Sequence, residues 1–189
     1  YLFWNMGGLK NQILISMPHM KDPFFSKTVI YICEHEKNGA MGLIINKAID
    51  TTKSNSVFKK SFLANSNYSF LKNKIFFGGP VLIEKGIVLH HSKYKSNKSI
   101  LVSNSISITS ESNILIKLKK KGNIPFKLML GHSGWSKGQL EKELEAGDWL
   151  IQNTTCDFIF NTPPNQMWQH AAESIGLDLG SSSGITGRA

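Results

Sequence analysis

Short runs of apolar and β-branched residues, separated by turn residues, predict a fold rich in strands. Residues 13–17 and 28–34 have the composition of half-buried strands, and 41–46 follows the Asn38-Gly39 turn as a return strand. The segments 28–34 and 41–46 are therefore predicted to form a hairpin. Further strands are predicted at residues 75–77, 86–90, 99–102 and 126–130, and as a pair at 149–152 and 158–160.

Three segments are predicted as helices because their apolar residues recur about one helical turn apart. The first has Ser110 as its candidate cap, the second opens with a capping box from Ser136 to Gln139, and the third follows Thr162 at two prolines. Their apolar positions are Ile114, Leu115 and Leu118; Leu140 and Leu144; and Trp168, Ala171, Ala172 and Ile175. A short fourth helix is predicted around Val57, Phe58, Phe62 and Leu63.

The predicted strands outnumber the helices and do not alternate with them. This arrangement favours an α+β fold with mostly antiparallel pairing over a doubly wound parallel sheet. The 189 residues, 41% of them hydrophobic, suffice for one sizeable core. We predict a single domain over residues 11–180, with 1–10 as a disordered or artificial extension and 181–189 as a flexible tail.

Hydropathy and cysteine content indicate a cytoplasmic protein without a membrane partner. No apolar run approaches the roughly 18 residues that a membrane helix needs, and the apolar opening lacks the basic segment of a signal peptide. Two cysteines, Cys33 and Cys156, are too few for the disulfide framework of a small secreted domain. Both thiols are therefore expected to be reduced.

The net charge of +9 raises the question of a nucleic-acid partner. Nearly all of the basic charge is lysine, and Arg188 is the single arginine. Phosphate- and base-reading surfaces favour arginine, because its planar fork binds bidentately. The lysine, asparagine and isoleucine bias is typical of an A/T-rich genome. We interpret the charge as a generic basic surface and keep nucleic-acid binding as an alternative.

Two side chains are candidate nucleophiles. Ser133 lies in Gly131-His-Ser-Gly-Trp135, between a predicted strand and a predicted helix, which is the setting of a nucleophile elbow. The elbow requires glycine where Trp135 stands. Cys33 and His35 are predicted to point to one face of a strand, where the imidazole could lower the pKa of the thiol. A small hydrolase or a thiol-dependent enzyme is therefore an alternative function.

Neither a metal nor a cofactor is predicted. The histidines at 35, 90, 91 and 132 lack the spacing of a metal site, and neighbouring strand residues face opposite sides. Gly78-Gly79-Pro80 lacks the lysine of a phosphate-binding loop. It is predicted to be a tight turn.

Four ordered sequence blocks, from about Asn11 to the C-terminus, resemble the YqgE/AlgH family of bacterial proteins. The first block is Met17-Pro-x-Met-x-Asp-Pro-Phe-Phe25 with Tyr31-x-Cys-Glu-His35 and Gly39-Ala-Met-Gly-Leu-Ile-Ile-Asn-Lys47, and the second is Phe77-Gly-Gly-Pro-Val81 with Gly86-x-Val-Leu-His90. The third block is Gly131-x-x-Gly-Trp-x-x-Gly-Gln-Leu-Glu-x-Glu143 with Trp149-Leu150. The fourth is Phe160-x-Thr-Pro-Pro164 with Trp168 and Ile175-Gly176. The resemblance implies a bifurcated sheet curled into a pseudo-barrel with helices packed outside. Some members are named as regulators of gene expression, and no catalytic residue is carried over. His132 stands where many relatives have tyrosine.

The leading functional hypothesis is a non-enzymatic regulatory or ligand-binding module. Charged and amide side chains at strand ends do not build cores, so we expect them to surround one wet hollow. The candidate binding residues are Asp22, Glu34, His35, Asn46, Lys47, Gly78, Gly79, Trp135 and Gln139. The glycines would allow close approach of backbone, and Trp135 with Gln139 would form a wall. A small ligand or a protein is the expected partner.

Overall fold

A computed structural model describes residues 8–51 and 66–177. These ranges contain nine strands, four α-helices and a 3-10 helix at Ser66–Leu71. The strands are β1 Gln12–Ser16, β2 Val29–Glu36, β3 Gly39–Ile44, β4 Ile75–Phe77, β5 Val81–His91, β6 Ser99–Leu101, β7 Ile106–Thr109, β8 Phe126–Ser136 and β9 Trp149–Asn153. The α-helices are α1 Asn113–Lys121, α2 Gln139–Glu145, α3 Cys156–Asn161 and α4 Pro164–Ser174.

The nine described strands form one mostly antiparallel sheet. Its order is β6-β7-β5-β8-β3-β2-β1-β9, and β4 pairs with β8 in parallel outside that path. Strand β8 is shared, because its first half pairs with β5 and β4 while its second half pairs with β3. The sheet therefore divides at β8. This confirms the predicted α+β fold with a bifurcated, mostly antiparallel sheet, and the β2–β3 hairpin with it.

Close crossing of two backbones marks the point of division. A Cβ on Gly78 would overlap the carbonyl oxygen of Gly131, and one on Gly79 would overlap the carbonyl group of His132. Gly131 itself has a φ of 71°, a left-handed conformation that favours glycine. The hydroxyl of Ser133 donates to the Gly78 carbonyl at 3.3 Å. The sequence predicts that Gly78 and Gly79 allow backbone to approach a ligand. In the structure these glycines instead allow the segment between β4 and β5 to pass close to β8.

The curled sheet has one inner face and two outer faces, each with its own apolar cluster. The inner cluster joins residues of both arms of the sheet with residues of α3 and α4, which cover its open side. One outer cluster lies under α1 and the other under α2. Alternate residues of a strand divide between faces, as Leu14 of β1 lies in an outer cluster while Ile13 and Ile15 lie in the inner one. The sheet thus forms a half-barrel, as expected.

Several predicted elements require correction. The segment 158–160 is not a strand but part of α3, whose first turn is capped by Thr155, since its hydroxyl accepts the Phe158 N–H at 3.1 Å. Helix α1 begins at Asn113 after Ser112, not at Ser110, and its predicted apolar stripe is buried. The segment 131–135 does not turn between a strand and a helix, because β8 continues through it to Ser136.

Leu9 belongs to the segment predicted as an extension, yet it is buried in the outer cluster under α2. The helix predicted around Val57, Phe58, Phe62 and Leu63, most of the N-terminal extension and the C-terminal tail lie outside the described residues. Within residues 8–51 and 66–177, no helix is long and apolar enough to cross a membrane.

Candidate functional site

A cleft of about 480 Å³ lies where the start of β2, the end of β3 and helix α4 meet. We call it the lysine cleft, because two lysines lie on its wall. It is lined by Ser26, Lys27, Asn46, Lys47, Pro164, Asn165, Trp168, Gln169 and Glu173. Asn46, Lys47, Pro164 and Asn165 also line an adjoining hollow that extends toward Thr51 and Asn73. Two of the predicted binding residues, Asn46 and Lys47, are therefore placed at one site.

The turn that precedes β2 forms one wall of the lysine cleft, and Asp22 organises it. The Asp22 carboxylate accepts the N–H groups of Phe24 and Phe25 at 2.8 and 3.2 Å. Its backbone carbonyl also accepts the Ser26 N–H at 2.9 Å. A short acidic side chain that bonds to nearby backbone in this way stabilises a turn. Asp22 therefore shapes the wall.

Asn46 extends the β2–β3 hairpin beyond its last paired residues. Its carbonyl oxygen accepts the Val29 N–H at 2.9 Å, and its amide donates to the Lys27 carbonyl at 2.9 Å. Lys27 has a φ of 50°, which is uncommon for a residue with a side chain and must be held by its surroundings. The Asn46 bond to Lys27 is one restraint that holds it. The cleft wall is thus fixed at the position of Lys27.

Lys47 is half-buried and points back to the same turn. Its ammonium donates to the carbonyl of Phe24 at 3.0 Å, with that of Pro23 at 3.5 Å. Burial lowers the pKa of Lys47, and the nearby charge of Asp22 acts in the opposite direction. Two partial negative charges of carbonyl groups therefore hold a cation at the rim of the cleft.

Trp168 of α4 forms the opposite wall. Its indole N–H donates to the Ser16 carbonyl at 2.9 Å, which fixes the plane of the ring against β1. The ammonium of Lys27 lies 5.9 Å from the centre of this ring, within the range of a cation–π contact. Glu173 is the single carboxylate among the described residues that line the cleft, and Gln169 donates to it at 2.9 Å.

A second polar cluster lies at the other end of the hairpin, where His35 contacts α2. The Leu9 N–H donates to Nδ1 of His35 at 2.9 Å, and Nε2 lies 2.7 Å from a carboxylate oxygen of Glu141. Both ring nitrogens are thus engaged. Burial raises the pKa of Glu141, but the hydrogen bonds from His35 and from its own backbone outweigh that effect and lower it.

Glu143 ties two indole rings to α2. One of its oxygens accepts the N–H groups of Trp135 and Trp149 at 2.8 and 2.9 Å, and the other accepts the Gln139 amide at 2.9 Å. The two indole rings meet edge to face, with centroids 6.5 Å apart. The Gln139 oxygen in turn accepts the Ser136 N–H at 3.0 Å. Trp135 and Gln139 therefore stabilise the packing of α2, with their polar atoms bonded to the protein.

The predicted pairing of Cys33 with His35 on one strand face is wrong. A β-bulge interrupts β2, because Ile32 and Glu34 pair with consecutive residues of β3 and Cys33 is left between them. Cys33 keeps the face of Tyr31 and lies in the inner cluster, whereas the bulge turns His35 to an outer face, where it contacts Leu9 and α2. Burial, followed by the charge of Glu34, raises the pKa of Cys33, which is fully buried.

The other candidate nucleophile, Ser133, and one of the candidate histidines, His90, are buried. Ser133 is fully buried in β8, so its hydroxyl has no contact with solvent. His90 is buried, bonded to the Thr109 hydroxyl at 2.8 Å and the His91 carbonyl at 3.0 Å, and burial lowers its pKa. In the described ranges, no three His, Cys, Asp or Glu side chains come close enough to hold a metal ion.

The predicted binding residues thus fall into separate groups instead of one hollow. Asn46 and Lys47 line the lysine cleft and Asp22 stabilises the turn that forms its wall, whereas His35, Trp135 and Gln139 lie around α2. The two groups lie at opposite ends of β2, whose eight residues span about 23 Å. Glu34 and Trp135 line a shallow surface hollow beside the β2–β3 turn. The separation follows from the length of the hairpin, since its two ends carry polar residues that cannot converge.

The sequence-based prediction omitted residues that complete both groups. Lys27 and Trp168 complete the lysine cleft, although the segments that carry them are far apart in sequence. Glu141 and Glu143 complete the α2 cluster. A signal for Glu143 was available, because it stands one helical turn after the predicted Gln139. No pattern in the sequence indicates that Lys27 adopts a left-handed conformation.

The sequence profile of the AlgH-like family matches residues 13–180. The chain belongs to the AlgH-like family. The UPF0301 protein IL2218 of Idiomarina loihiensis is 39% identical over 175 residues, covering 92% of this chain and 95% of that protein. A UPF0301 protein of Buchnera aphidicola is 41% identical over 171 residues, covering 89% of this chain and 90% of its own. These AlgH-like relatives match this chain over nearly their whole length.

Two solved structures share the AlgH-like fold. The solution structure of the AlgH protein from Pseudomonas aeruginosa gives a TM-score of 0.72 at 30% identity, with 96% of each chain covered. The crystal structure of protein DIP2367 from Corynebacterium diphtheriae gives a TM-score of 0.70 at 18% identity, covering 89% of this chain and 87% of that one. The family resemblance of the four sequence blocks is thus confirmed.

Proposed function

We propose that this chain is a cytoplasmic, non-enzymatic regulatory module that binds a small anionic ligand in the lysine cleft. A role in regulating gene expression agrees with the names given to some members of the family. The observation that carries the proposal is the convergence of Lys27, Lys47 and the ring of Trp168 on one open cleft of ligand size.

The composition of the cleft favours an anion attached to a planar body. Lys27 and Lys47 contribute two positive charges, opposed by Glu173 at the far side. Carbonyl groups hold the Lys47 ammonium in place, so little ordering is required when an anion binds. The fixed ring of Trp168 offers a flat apolar surface beside these charges. The Asn165 amide adds a polar group at the start of α4.

The alternative of a hydrolase or thiol-dependent enzyme is less well supported. Its two candidate nucleophiles, Ser133 and Cys33, are fully buried, and neither reaches the lysine cleft. A substrate would have to open the sheet to contact them. The groups that do line the cleft are suited to holding a ligand by charge and by ring contact.

Three simple probes separate the contributions to binding. Phenyl phosphate carries both an anion and a ring, inorganic phosphate lacks the ring, and phenol lacks the anion. We expect phenyl phosphate to bind more tightly than either of the others. In ¹H–¹⁵N NMR titrations it should shift the Trp168 indole and Asn165 amide signals, since both groups line the cleft.

Two substitutions should move the affinity in opposite directions. Lys27→Gln removes a charge that lies over the ring and is expected to weaken phenyl phosphate binding by about tenfold. Glu173→Gln removes the opposing charge and is expected to strengthen it. Lys21→Gln changes an exposed lysine outside the cleft and serves as the matched control. Equal affinities for all three probes, or equal losses in Lys27→Gln and Lys21→Gln, would refute the proposal.

A further inference from the structure

Charge is distributed very unevenly along this chain. Residues 66–127 contain eleven lysines against two acidic residues, Glu84 and Glu111. Residues 128–177 contain two lysines against six carboxylates. A compositional bias of the genome acts on every segment alike, so it explains the abundance of lysine but not this separation. The positive charge of the protein therefore belongs mainly to one region of the fold.

Two segments bring lysines together at the C-terminal end of α1. The Lys74 ammonium lies 4.7 Å from the centre of the Phe126 ring, and that of Lys119 lies 5.0 Å from the Phe70 ring. The two rings contact each other edge to face at 6.3 Å. The approach to β4 and the last turn of α1 are therefore neighbours, although about 45 residues separate them in the sequence.

A third segment adjoins the same apolar cluster. Tyr94 packs against this cluster together with Ile124. The His91 N–H donates to the Pro125 carbonyl at 3.1 Å, which holds the loop after β5 beside the end of α1. The three segments carry seven lysines, which we group as the basic face: Lys72, Lys74, Lys93, Lys95, Lys119, Lys120 and Lys121. No acidic residue occurs in residues 70–74, 91–95 or 117–126.

Helix stabilisation does not account for the basic face. Lysines in the last turn of α1 interact favourably with the helix dipole, which explains Lys119, Lys120 and Lys121. It does not explain the lysines on the other two segments, which add repulsion to the same surface. The charge of Lys74 also reaches the buried Lys127, whose pKa is lowered to about 8 chiefly by burial and secondarily by that charge. Such a concentration of like charge is relieved by a polyanion.

We propose that the basic face binds the phosphate backbone of a nucleic-acid duplex without reading its sequence. The ammonium groups of lysine supply point charges that suit phosphates. The basic face contains no arginine, the residue whose planar guanidinium group reads base edges. Phe126 is buried and Phe70 is packed against it under Lys119, so these rings do not offer a stacking platform. An anionic membrane is a poorer match, because membrane-surface helices expose several large apolar side chains. Helix α1 exposes one large apolar side chain, that of Ile116.

Binding is tested with a fluorescently labelled duplex of about 20 base pairs, by anisotropy over a range of salt concentrations. One variant carries Lys72→Gln, Lys95→Gln, Lys120→Gln and Lys121→Gln. Its matched control carries Lys10→Gln, Lys21→Gln, Lys37→Gln and Lys137→Gln, which are exposed lysines outside the basic face. The two variants have the same net charge, so bulk attraction is equal in both.

For the wild type, we expect the logarithm of the affinity to fall linearly with the logarithm of the salt concentration. The slope should be about −0.9 for each phosphate contacted. The basic-face variant should bind at least tenfold more weakly and show a slope about three smaller, while the control changes by less than about threefold. Equal losses in the two variants, absence of wild-type binding at about 50 mM salt, or tighter binding to phosphatidylglycerol-containing vesicles than to duplex would each overturn the proposal. Circular dichroism spectra are compared with that of the wild type to check that both variants are folded.

Discussion

Nε2 of His35 lies 2.7 Å from Oε1 of Glu141, and the imidazole is the donor in this contact. The backbone N–H of Leu9 can only donate, so Nδ1 of the ring must accept its bond. The single proton of the neutral ring therefore resides on Nε2 and is donated to the carboxylate. His35 thereby links three segments: the chain before β1, strand β2 and helix α2.

Replacing Glu141 should produce a destabilisation that depends on pH. Its pKa lies below the ordinary glutamate value of 4.5, so the ionised form stabilises the folded state. That contribution is fully present above pH 4.5 and is lost as the pH falls through the lower folded-state pKa. Glu141→Gln is expected to lower the free energy of unfolding at pH 7 by about 1 kcal/mol. The difference from wild type should shrink at acidic pH.

Urea denaturation at several pH values measures this effect. Glu36→Gln, which changes an exposed carboxylate on β2, is the control and should have little influence. A deficit of Glu141→Gln that remains constant down to about pH 3 would show that the ionised carboxylate is not its source.

Glu143 is expected to contribute more to stability than Glu145, which stands two residues further along α2. Glu143→Gln replaces an acceptor of three hydrogen bonds by a group with one oxygen, so one indole or amide donor loses its partner. We expect a loss of about 2 kcal/mol in the free energy of unfolding. Glu145→Gln, an exposed change in the same helix, should stay within about 0.5 kcal/mol of wild type. Equal effects of the two changes would contradict the assigned role.

Lys127 should make the protein more stable as the pH becomes alkaline. Its ammonium is buried beside the Phe76 ring, donates to the Ile45 carbonyl at 3.1 Å and has a pKa lowered to about 8. Between pH 8 and 10.5 the unfolded lysine holds a proton that the folded one has released, so stability rises with pH. The gain is at most about 3 kcal/mol.

Lys127→Met is expected to abolish this alkaline gain, since a neutral side chain of similar length remains buried. The free energies of unfolding of the wild type and of Lys127→Met are to be measured from pH 7 to 10.5. The two values should converge as the pH approaches 10.5. Lys137→Met, at an exposed position, should follow the wild-type profile. Parallel profiles for wild type and Lys127→Met would contradict the burial of a charged lysine.

The two cysteines should react with thiol reagents at very different rates in the folded protein. Cys33 is fully buried and burial raises its pKa, whereas Cys156 is partly exposed at the start of α3. With a chromogenic disulfide, we expect one fast thiol that disappears in Cys156→Ser and persists in Cys33→Ser. Loss of the fast phase in Cys33→Ser would instead mark Cys33 as the accessible nucleophile.

Much of the fold was predictable because its strands and amphipathic helices carry strong local patterns. Strand β4 was predicted to the residue, and the apolar stripe of α1 was correct. Strand β7 was missed, although Ile106 and Ile108 alternate with polar residues, a pattern that indicates a strand. The apolar residues of α3 were assigned to a strand because a helix of six residues is too short to show its period.

The candidate site was less predictable, because its geometry depends on irregular backbone. The β-bulge at Cys33 reverses the face of the sheet on which His35 lies. No residue type in this segment predicts the bulge. Gly78 and Gly79 were correctly singled out for close approach, but the approaching group is strand β8. Asn46 and Lys47 were located at a strand end, while their partners Lys27 and Trp168 required the tertiary fold.

The sharing of β8 among three partners has a consequence for how the protein opens. Leu128 and Leu130 of this strand pack under α1, while Trp135 packs under α2. Neither arm of the sheet can therefore detach without breaking a strand on which the other depends. Hydrogen exchange at Leu130 and Ser133 should report one common opening event, so that the two arms unfold as a single cooperative unit.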